Sequence, residues 1–373
     1  MSVMGNTKLQ LSEEQAMLLD VAREFCRNRS PIERVRALLE SAEGYDPGVW
    51  REMTELGWAG VGLPETSGGA GLGVGALVPV VEAMGRSLLV TPMLNTTLAG
   101  QLVQRAGGER MNALLADIAS GMIATPALLE GEDSGSTAIA CSVDEEGRIA
   151  GGKRFVGDAQ TAALFVVLVE HGGAPALALV RRDQLADSAI TPHTLIDETR
   201  RAAAVDFSGV VVGAEALITG PAVGSALRDT RLIGAMLLAA EATGSAAACL
   251  DTTVEYLKTR KQFGRLIGSY QALKHPAVDI LVGVDSSRSF VYHAATLVDD
   301  DPLDADAEVA CRMAKAQAGE TLLYAADRSV QFHGGMGFTY ECDAQLYLRR
   351  ALWCQYQHGD AQHHRNHLAG ILF

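Results

Sequence analysis

The segment at residues 257–280, LKTRKQFGRLIGSYQALKHPAVDI, carries the residue types that bind a nucleotide diphosphate. Arg260 ends a long helical pattern, and a guanidinium at that place can grip two phosphates bidentately. Phe263 offers a flat face to an aromatic ring, while Gln271 offers an amide donor and acceptor one turn into the next helical pattern. The segment therefore predicts a binding site for a nucleotide diphosphate, and the alternative interpretation is a solvated basic turn.

A second candidate is the glycine cluster of SVQFHGGMGFTYE, residues 329–341. Gly334, Gly335 and Gly337 place no side chain at the end of a helical pattern, so a ligand can approach the backbone closely there. Gln331 stands just before them and adds an amide. Three glycines in four positions exceed what a helix C-cap needs, and an ordinary glycine cap is the alternative.

A third candidate lies in GGKRFVGDAQTAALFVVLVE, residues 151–170, a pattern typical of a hairpin strand. Phe155 and Val156 could cover one face of a ligand. Taken alone, these two residues are more typical of the hydrophobic core of a β domain.

The composition limits the class of protein to which these candidates belong. Of the 373 residues, 48% are hydrophobic and 20% are charged, which is typical of a globular protein with a sizeable core. The formal net charge of −14 argues against nucleic acid and anionic membranes as partners, because both require a basic surface.

The six cysteines include no C-x-x-C pair and no Cys/His spacing that would bind a metal. We therefore expect reduced thiols, no metal and a cytoplasmic location. No apolar run reaches the roughly 18 residues of a membrane span, so no span is predicted.

The elements that must position the candidate residues fall into three blocks. Residues 1–121 carry helical patterns, and residues 122–222 carry short β-branched or alternating runs that predict a small antiparallel β domain. Residues 223–373 return to long helical patterns with Ala/Leu stripes, which predicts a four-helix-bundle-like domain. The predicted fold class is α+β multidomain, with the functional site where the blocks meet.

Three segments, taken in order, resemble the acyl-CoA dehydrogenase family over almost the whole chain. LGWAGVGLPETSGGAGLG resembles the family's N-terminal motif of Gly-Trp, a Pro-Glu pair and a Gly-Gly-x-Gly loop. EYLKTRKQFGRLIGSYQALKH resembles the Arg-x-Gln-Phe-Gly pattern, and QFHGGMGFTYE resembles the Gln-x-x-Gly-Gly-x-Gly signature. The order of helical, β and helical blocks agrees with this resemblance.

The resemblance implies an FAD enzyme of three domains that assembles as a tetramer. In the family, the second and third motifs hold the adenosine diphosphate half of an FAD whose flavin lies on a neighbouring subunit. Acyl-CoA is the implied substrate, and electron-transferring flavoprotein is the implied electron acceptor. Cofactor binding is therefore predicted for the strand residues Phe155 and Val156. It is also predicted for residues of the second and third motifs, which are Arg260, Gln262, Phe263, Gln271, Gln331, Gly334 and Gly335.

The resemblance also implies α,β-desaturation of an acyl thioester, in which a carboxylate removes the α-proton and the β-hydrogen leaves as hydride to flavin N5. Family members carry the glutamate base at one of two positions, which fall here at Gly234 and His358. Asp360 is the nearest carboxylate, and His358 could itself accept a proton. Glu241 lies about two turns from the base position, and we expect it to partner an Arg or Lys.

The flavin side of the sequence departs from the family pattern, while the adenine side is intact. Phe155 stands where the family has Trp, and Gly157 stands where the family has the Thr whose hydroxyl meets flavin N5. LLEGEDSGST replaces the family's Thr-Glu-Pro followed by Gly-x-Gly-Ser-Asp. We therefore hypothesise that the chain is the small subunit of a heterotetramer, paired with a larger catalytic homologue.

Several alternatives stay open at this point. The chain could be a self-sufficient homotetrameric dehydrogenase that uses Asp360 or His358 as its base. It could instead be a non-catalytic protein that binds FAD or acyl-CoA, and the fold also supports acyl-CoA oxidases and flavin monooxygenases. The small residues of GAMLLAAEATGSAAA would fit a roomy cavity for a steroid-like acyl group, or simply close helix packing.

Overall fold

A computed structural model of the chain describes residues 13–132 and 138–373, with side chains from residue 16 onward. The first part of the chain is helical. Its helices are α1 (Glu13–Arg29), α2 (Ile32–Leu38), α3 (Pro47–Glu55), α4 (Val78–Arg86), α5 (Met93–Gly107) and α6 (Asn112–Ala119).

Local sequence signals explain where these helices begin and end. In α3, the Asp46 side chain accepts hydrogen bonds from the Gly48 and Val49 backbone amides, and Pro47 fills the first helical position. The chain leaves this helix through Gly57, whose φ of +77° suits a residue without a Cβ.

The middle of the chain folds as strands. They are β1 (Ala124–Ala127), β2 (Ser142–Val143), β3 (Ile149–Ala150), β4 (Gly152–Gly157), β5 (Leu164–His171), β6 (Ala174–Arg181), β7 (Ile190–Pro192), β8 (Ala202–Asp206) and β9 (Leu217–Ile218). One sheet runs in the order β3-β2-β5-β6-β9, with β1 also paired to β5, and a second sheet runs β4-β8-β7. Most of the pairing is antiparallel, as predicted, whereas β1 and β2 pair with β5 in parallel.

The last part of the chain is a bundle of long helices with one small hairpin. Its elements are α7 (Ala222–Thr259), β10 (Lys261–Gln262), β11 (Arg265–Leu266), α8 (Gln271–Ala295), α9 (Ala305–His333), α10 (Ala344–Tyr356) and α11 (Ala361–Leu372). The predicted helical, β and helical architecture is therefore confirmed. Within the described residues, α7 alone is long and apolar enough to span a membrane by composition, and its apolar window is entirely buried inside the fold.

The two helical parts of the chain share one hydrophobic core, in which α1, α3 and α4 pack with α7, α8 and α9. Helix α4 crosses α7 so closely that a Cβ added at Gly85 would collide with the Glu241 backbone, and one added at Gly244 would collide with the Glu82 backbone. Because the cores merge, the division into domains 1–121, 122–222 and 223–373 stays a prediction.

A buried cluster of charges joins the β domain to the bundle. Arg350 of α10 is fully buried and donates from its Nε to Asp197 at 2.5 Å and from its Nη2 to Thr199 at 2.6 Å. Its third contact is Glu241 of α7, which also binds Arg200. Glu241 thus partners arginines, as expected from the sequence.

The charges in this cluster stabilise one another. Burial opposes ionisation of Asp197, yet the Arg350 and Arg200 guanidiniums hold the pKa of this carboxyl below its ordinary value. Asp197 and Thr199 belong to the segment between β7 and β8, so the cluster fixes that segment against α7 and α10. Removing Arg350 takes away the direct ion-pair partner of Asp197 and leaves Glu241 with Arg200 alone.

We expect Arg350→Met to lower the free energy of unfolding by roughly 3–5 kcal/mol, because it removes the guanidinium that binds Asp197 directly and one of the two that bind Glu241. Arg365→Met is the matched control, since Arg365 pairs with Glu320 on the surface, where such pairs contribute about 0–1 kcal/mol. Denaturant unfolding followed by tryptophan fluorescence measures both variants. Equal midpoint shifts for the two variants would contradict the role assigned to the cluster.

Candidate functional site

Two cavities meet where the β domain rests on the bundle. One has a volume of about 350 Å³ and the other about 500 Å³. The residues common to both linings are Asn95, Leu98, Phe155, Gly157, Gln357 and His358. The sequence-predicted flavin side and the predicted base position therefore lie at one junction.

Phe155 is exposed and Val156 is buried, at an irregularity in the pairing of β4 with β8 that lies between Lys153 and Val156. Phe155 has a φ of +52°, is 38% exposed and packs its ring against His193 at a centroid distance of 4.7 Å. Val156 is 1% exposed inside the β-domain core and lines neither cavity. Of the predicted pair, only the Phe155 side chain can cover a ligand.

The end of β4 is built differently from the family pattern. A Cβ added at Gly157 would collide with the Asn95 amide, so a threonine does not fit there in this arrangement. Asn95 donates its amide hydrogen to the Asp158 carboxylate at 2.7 Å, and burial raises the pKa of that carboxyl against this hydrogen bond. Asn95 and Asp158 were not predicted. The replacement stretch LLEGEDSGST lies partly outside the described residues, which resume at 138.

The two family base positions are in direct contact with each other. His358 packs its imidazole onto Gly234, where an added Cβ would lie 2.7 Å from each ring nitrogen. Burial, together with the nearby Lys315 and Arg231 cations, lowers the pKa of His358 to about 4. The imidazole is therefore neutral near pH 7 and is a weak base.

Asp360 is not placed to take a proton from a ligand in either cavity. Its carboxylate is the N-cap of α11 and accepts a hydrogen bond from the His363 backbone amide at 2.7 Å. Asp360 also lines neither cavity. Its side chain is thus committed to starting a helix.

Lys315 of α9 fixes the segment that carries His358. Its buried ammonium donates to the carbonyls of Cys354 at 3.0 Å, Gln355 at 3.3 Å and Gly359 at 2.8 Å. These contacts satisfy carbonyls left free at the end of α10. Burial lowers the pKa of Lys315 to about 8. Nothing in its Ala-rich sequence surroundings marked this lysine as part of the site.

The predicted nucleotide-binding segments lie together at the far end of the bundle. Tyr256, one turn before Arg260, stacks on His333 with ring centroids 4.3 Å apart, so the C-terminal ends of α7 and α9 are adjacent. The predicted residues Arg260, Gln262, Phe263, Gln271, Gln331, Gly334 and Gly335 are all exposed at this end. We call this group the clamp.

The clamp has an open, strained geometry. Phe263 and Gly264 join β10 to β11 with φ values of +51° and +78°, typical of a type I′ turn, which normally excludes a residue like Phe. The Phe263 ring is 90% exposed. A Cβ added at Gly334 or Gly335 would meet no atom within 4 Å, so the backbone there is accessible.

The clamp lies far from the two cavities. Gly234 and Arg260 are separated by nearly the whole remaining length of α7, which corresponds to about 38 Å at 1.5 Å per residue. This distance exceeds the length of one extended dinucleotide. The chain therefore does not bring its two predicted halves of a cofactor site together.

We expect Gly234→Ala to lower the free energy of unfolding by roughly 1–3 kcal/mol, because its methyl group overlaps the His358 ring. In a His358→Ala background the same change should instead raise it by about 0.5–1 kcal/mol, since alanine favours a helix over glycine. A double-mutant cycle by denaturant unfolding measures the difference. An identical effect in both backgrounds would contradict the contact.

The buried histidines predict sensitivity to acid. Burial lowers the pKa of His364 from 6.5 to about 3, so the unfolded chain binds a proton that the folded chain does not. The associated stability is complete above pH 6.5 and falls as the pH drops toward 3. Between pH 7 and pH 5, wild type should lose about 2 kcal/mol more unfolding free energy than His364→Gln. His367→Gln, which alters an exposed residue on the same helix, should behave as wild type.

The sequence and the fold were then compared with known proteins. Residues 12–122 match the description "Acyl-CoA dehydrogenase, N-terminal domain", and residues 222–373 match "Acyl-CoA dehydrogenase, C-terminal domain". The acyl-CoA dehydrogenase IpdE2 of Mycolicibacterium smegmatis is 33% identical over 353 residues, covering 94% of each chain.

Solved structures give the same result. The chain superposes on the ChsE4-ChsE5 complex from Mycobacterium tuberculosis with a TM-score of 0.86 and 25% identity, covering 98% of each chain. It superposes on a variant of the Tcur3481-Tcur3483 steroid ACAD with a TM-score of 0.83 and 28% identity, covering 96% of this chain and 98% of that one. The chain belongs to the acyl-CoA dehydrogenase family, whose members are FAD-dependent oxidoreductases.

Proposed function

We propose that this chain is the base-poor small subunit of a heterotetrameric acyl-CoA dehydrogenase and works with a larger homologous subunit. The observation that carries the proposal is the contact between Gly234 and His358. Gly234 stands at one family base position and has no side chain that could accept a proton. His358 stands at the other and is a neutral imidazole. Asp360, the nearest carboxylate in sequence, caps α11 instead.

The chemistry of the family explains why this contact matters. Bound FAD supplies the hydride acceptor for α,β-desaturation. The protein must supply a group that removes the weakly acidic α-proton, which requires a carboxylate or another base with a pKa near the working pH. An imidazole with a pKa of about 4 is too weak for this step. The chain's own residues bind and orient a thioester, while the base belongs to the partner.

The clamp fits the adenosine diphosphate half of an FAD. The Arg260 guanidinium suits a pyrophosphate, the exposed Phe263 ring suits an adenine, and the open backbone at Gly334 and Gly335 allows close approach. Since the clamp lies about 38 Å along α7 from the chain's own cavities, we propose that it serves the FAD of a neighbouring subunit. Gln262, Gln271 and Gln331 would donate amide hydrogen bonds there.

The solvent-facing side of α8 supports an obligate partner. Val278, Leu281 and Val282 are 55%, 47% and 59% exposed and follow the i, i+3, i+4 spacing of one helix face. Together with Phe263, they form an apolar surface beside the clamp. A homologous subunit that presents its FAD to the clamp would cover this surface.

The compared proteins support both the assembly and a class of substrate. Two of the superposed structures have two named components, and one of these is described as a steroid ACAD. We propose that the substrate is an acyl-CoA of this bulky kind, with electron-transferring flavoprotein as the expected acceptor. The experiment below tests the non-catalytic and homotetrameric alternatives. The cytoplasmic location stays a prediction.

We expect the chain expressed alone to bind FAD substoichiometrically and to show no acyl-CoA-dependent dye reduction. Coexpression with a larger homologue that carries the glutamate should restore both. In that complex, Arg260→Ala should lower the FAD content several-fold, whereas Lys258→Ala, which alters an exposed ion pair two residues away, should not. Flavin absorbance per protomer and dye reduction are the measurements.

Full FAD occupancy with turnover by the isolated chain would overturn the proposal. In that case Asp360→Asn and His358→Gln separate the two candidate bases, because only the base variant abolishes turnover at saturating substrate. FAD binding without reduction by any acyl-CoA, even beside the larger homologue, would favour a non-catalytic binding protein.

A further inference from the structure

One hydrogen-bonded pair of polar residues lines the 350 Å³ cavity. The Asp158 carboxylate accepts a hydrogen bond from the Asn95 amide at 2.7 Å, and both residues belong to the cavity lining. Gly157 leaves room for the pair, since an added Cβ there would collide with the Asn95 amide. Among the residues that the structure describes, Asp158 is the only carboxylate that lines either of the two cavities.

The negative charge of Asp158 has little compensation. Within the described part of the chain, the Asn95 amide is the only hydrogen-bond donor to this carboxylate, and no cation forms an ion pair with it. Arg200 binds Glu241 instead, and the Arg201 guanidinium donates to backbone carbonyls. Burial therefore raises the pKa of Asp158, although Asn95 and the two guanidiniums oppose that shift. Such a carboxylate is costly to the fold and is common at binding sites.

The backbone fixes the position of this carboxylate. Asp158 has a φ of +54°, in the left-handed region that Asp tolerates better than most residues. Its N–H donates to the Arg201 carbonyl at 3.1 Å, and its carbonyl accepts from the Thr161 and Ala162 amides at 3.0 Å. Asn95 is fixed in turn by its place in α5. The pair is thus held in place before any ligand binds.

The cavity wall beside the pair is apolar on its α5 and α7 sides. The apolar residues there are Leu94, Leu98, Leu237 and Leu238. Gly234 and His358, the two family base positions, line the same cavity, so the α-carbon of a bound thioester would lie beside them. An acyl chain that continues from there across the leucines passes Asn95, because Asn95 and Leu98 share one face of α5.

The pair fits a neutral group that both donates and accepts a hydrogen bond. An ionised Asp158 only accepts, whereas the Asn95 amide has a second hydrogen to donate. Arg200 and Arg201, which also line the cavity, would repel a cationic ligand group, and the carboxylate would repel an anionic one. A ketone could accept from Asn95 but would leave the carboxylate without a donor. A hydroxyl group satisfies both members of the pair.

We propose that the Asn95–Asp158 pair binds a hydroxyl group on the acyl chain of the ligand. Asp158 accepts the hydroxyl hydrogen, and the Asn95 amide donates to the hydroxyl oxygen. The preferred substrates are therefore hydroxylated acyl-CoA thioesters. The inference deepens the proposed function and rests on it only in that the chain binds an acyl thioester. It requires neither FAD nor turnover.

The first test is thioester binding by titration calorimetry at pH 7, to the full-length chain and to its complex with the larger homologue. The ligands are octanoyl-CoA, its 6-, 7- and 8-hydroxy derivatives, and 6- and 7-oxooctanoyl-CoA. The octanoyl chain is flexible, so each of these carbons can reach the pair. The best hydroxy derivative should bind about tenfold more tightly than octanoyl-CoA and the oxo derivatives, because hydrogen bonds to a charged acceptor are the stronger ones.

Asp158→Asn should invert the preference. Asparagine tolerates the same positive φ and can still accept the Asn95 hydrogen bond, but it presents an amide hydrogen where the carboxylate presented an oxygen. The variant should therefore bind an oxo derivative more tightly than any hydroxy derivative. Asp187→Asn is the matched control, since Asp187 is an exposed partner of Arg182 and lines neither cavity. It should keep the wild-type order of affinities.

A second measurement separates binding from a structural role. The denaturant midpoint of Asp158→Asn should equal or exceed that of wild type, because the substitution removes a poorly compensated charge. A lower midpoint would assign the carboxylate to the stability of the fold and count against the inference.

Two binding results would overturn the inference. One is wild-type protein that binds no hydroxy derivative more tightly than octanoyl-CoA, a comparison that needs no variant. The other is Asp158→Asn with the wild-type order of affinities. Turnover by the isolated chain would contradict the subunit proposal but would leave these affinities unchanged, so the two proposals can fail separately.

Discussion

The buried contact of Arg350 with Asp197, Thr199 and Glu241 is the interaction on which the rest of the site depends. One guanidinium joins three parts of the chain, namely the β7–β8 segment, α7 and α10. The 350 Å³ cavity borders this junction through Arg200, Leu352 and Trp353. Since buried charges tolerate little displacement from their partners, the cluster sets the spacing between the β domain and the bundle within narrow limits.

Around that junction the chain keeps the architecture of a dehydrogenase while changing the groups that perform its chemistry. His358 fills the space beside Gly234, Asn95 fills the space beside Gly157, and Lys315 secures the backbone that carries His358. His358 is packed against Gly234, while Asn95 and Lys315 are hydrogen-bonded. The site is therefore ordered, which supports the proposal of a subunit that holds ligands and leaves proton abstraction to its partner.

The fold and the residues of the clamp could be predicted from the sequence because both depend on local patterns. Helix periodicity, β-branched runs and the glycine-rich motifs are visible in short windows. The type I′ turn at Phe263 and Gly264 was not predicted, because Phe is unusual at a position with a positive φ. Comparison with the family pattern also identified Gly234 and His358 as the two positions at which family members carry the glutamate base.

The contacts that define the site could not be predicted in the same way. That His358 lies on Gly234, that Lys315 caps α10 and that Asn95 reaches Asp158 are long-range contacts between residues of common type. Cofactor binding was predicted for Val156, but its side chain lies in the core of the β domain and lines neither cavity.

Helix α7 runs without a break from the junction at Gly234 to the clamp at Arg260. Each residue of an α-helix turns its neighbours by about 100°, so inserting or deleting a single residue between these points would rotate one end against the other by more than a quarter turn. Substitutions in this interval change packing locally, whereas a change in its length would misalign both ends at once. The number of residues between the two positions is thus fixed more strictly than their identity.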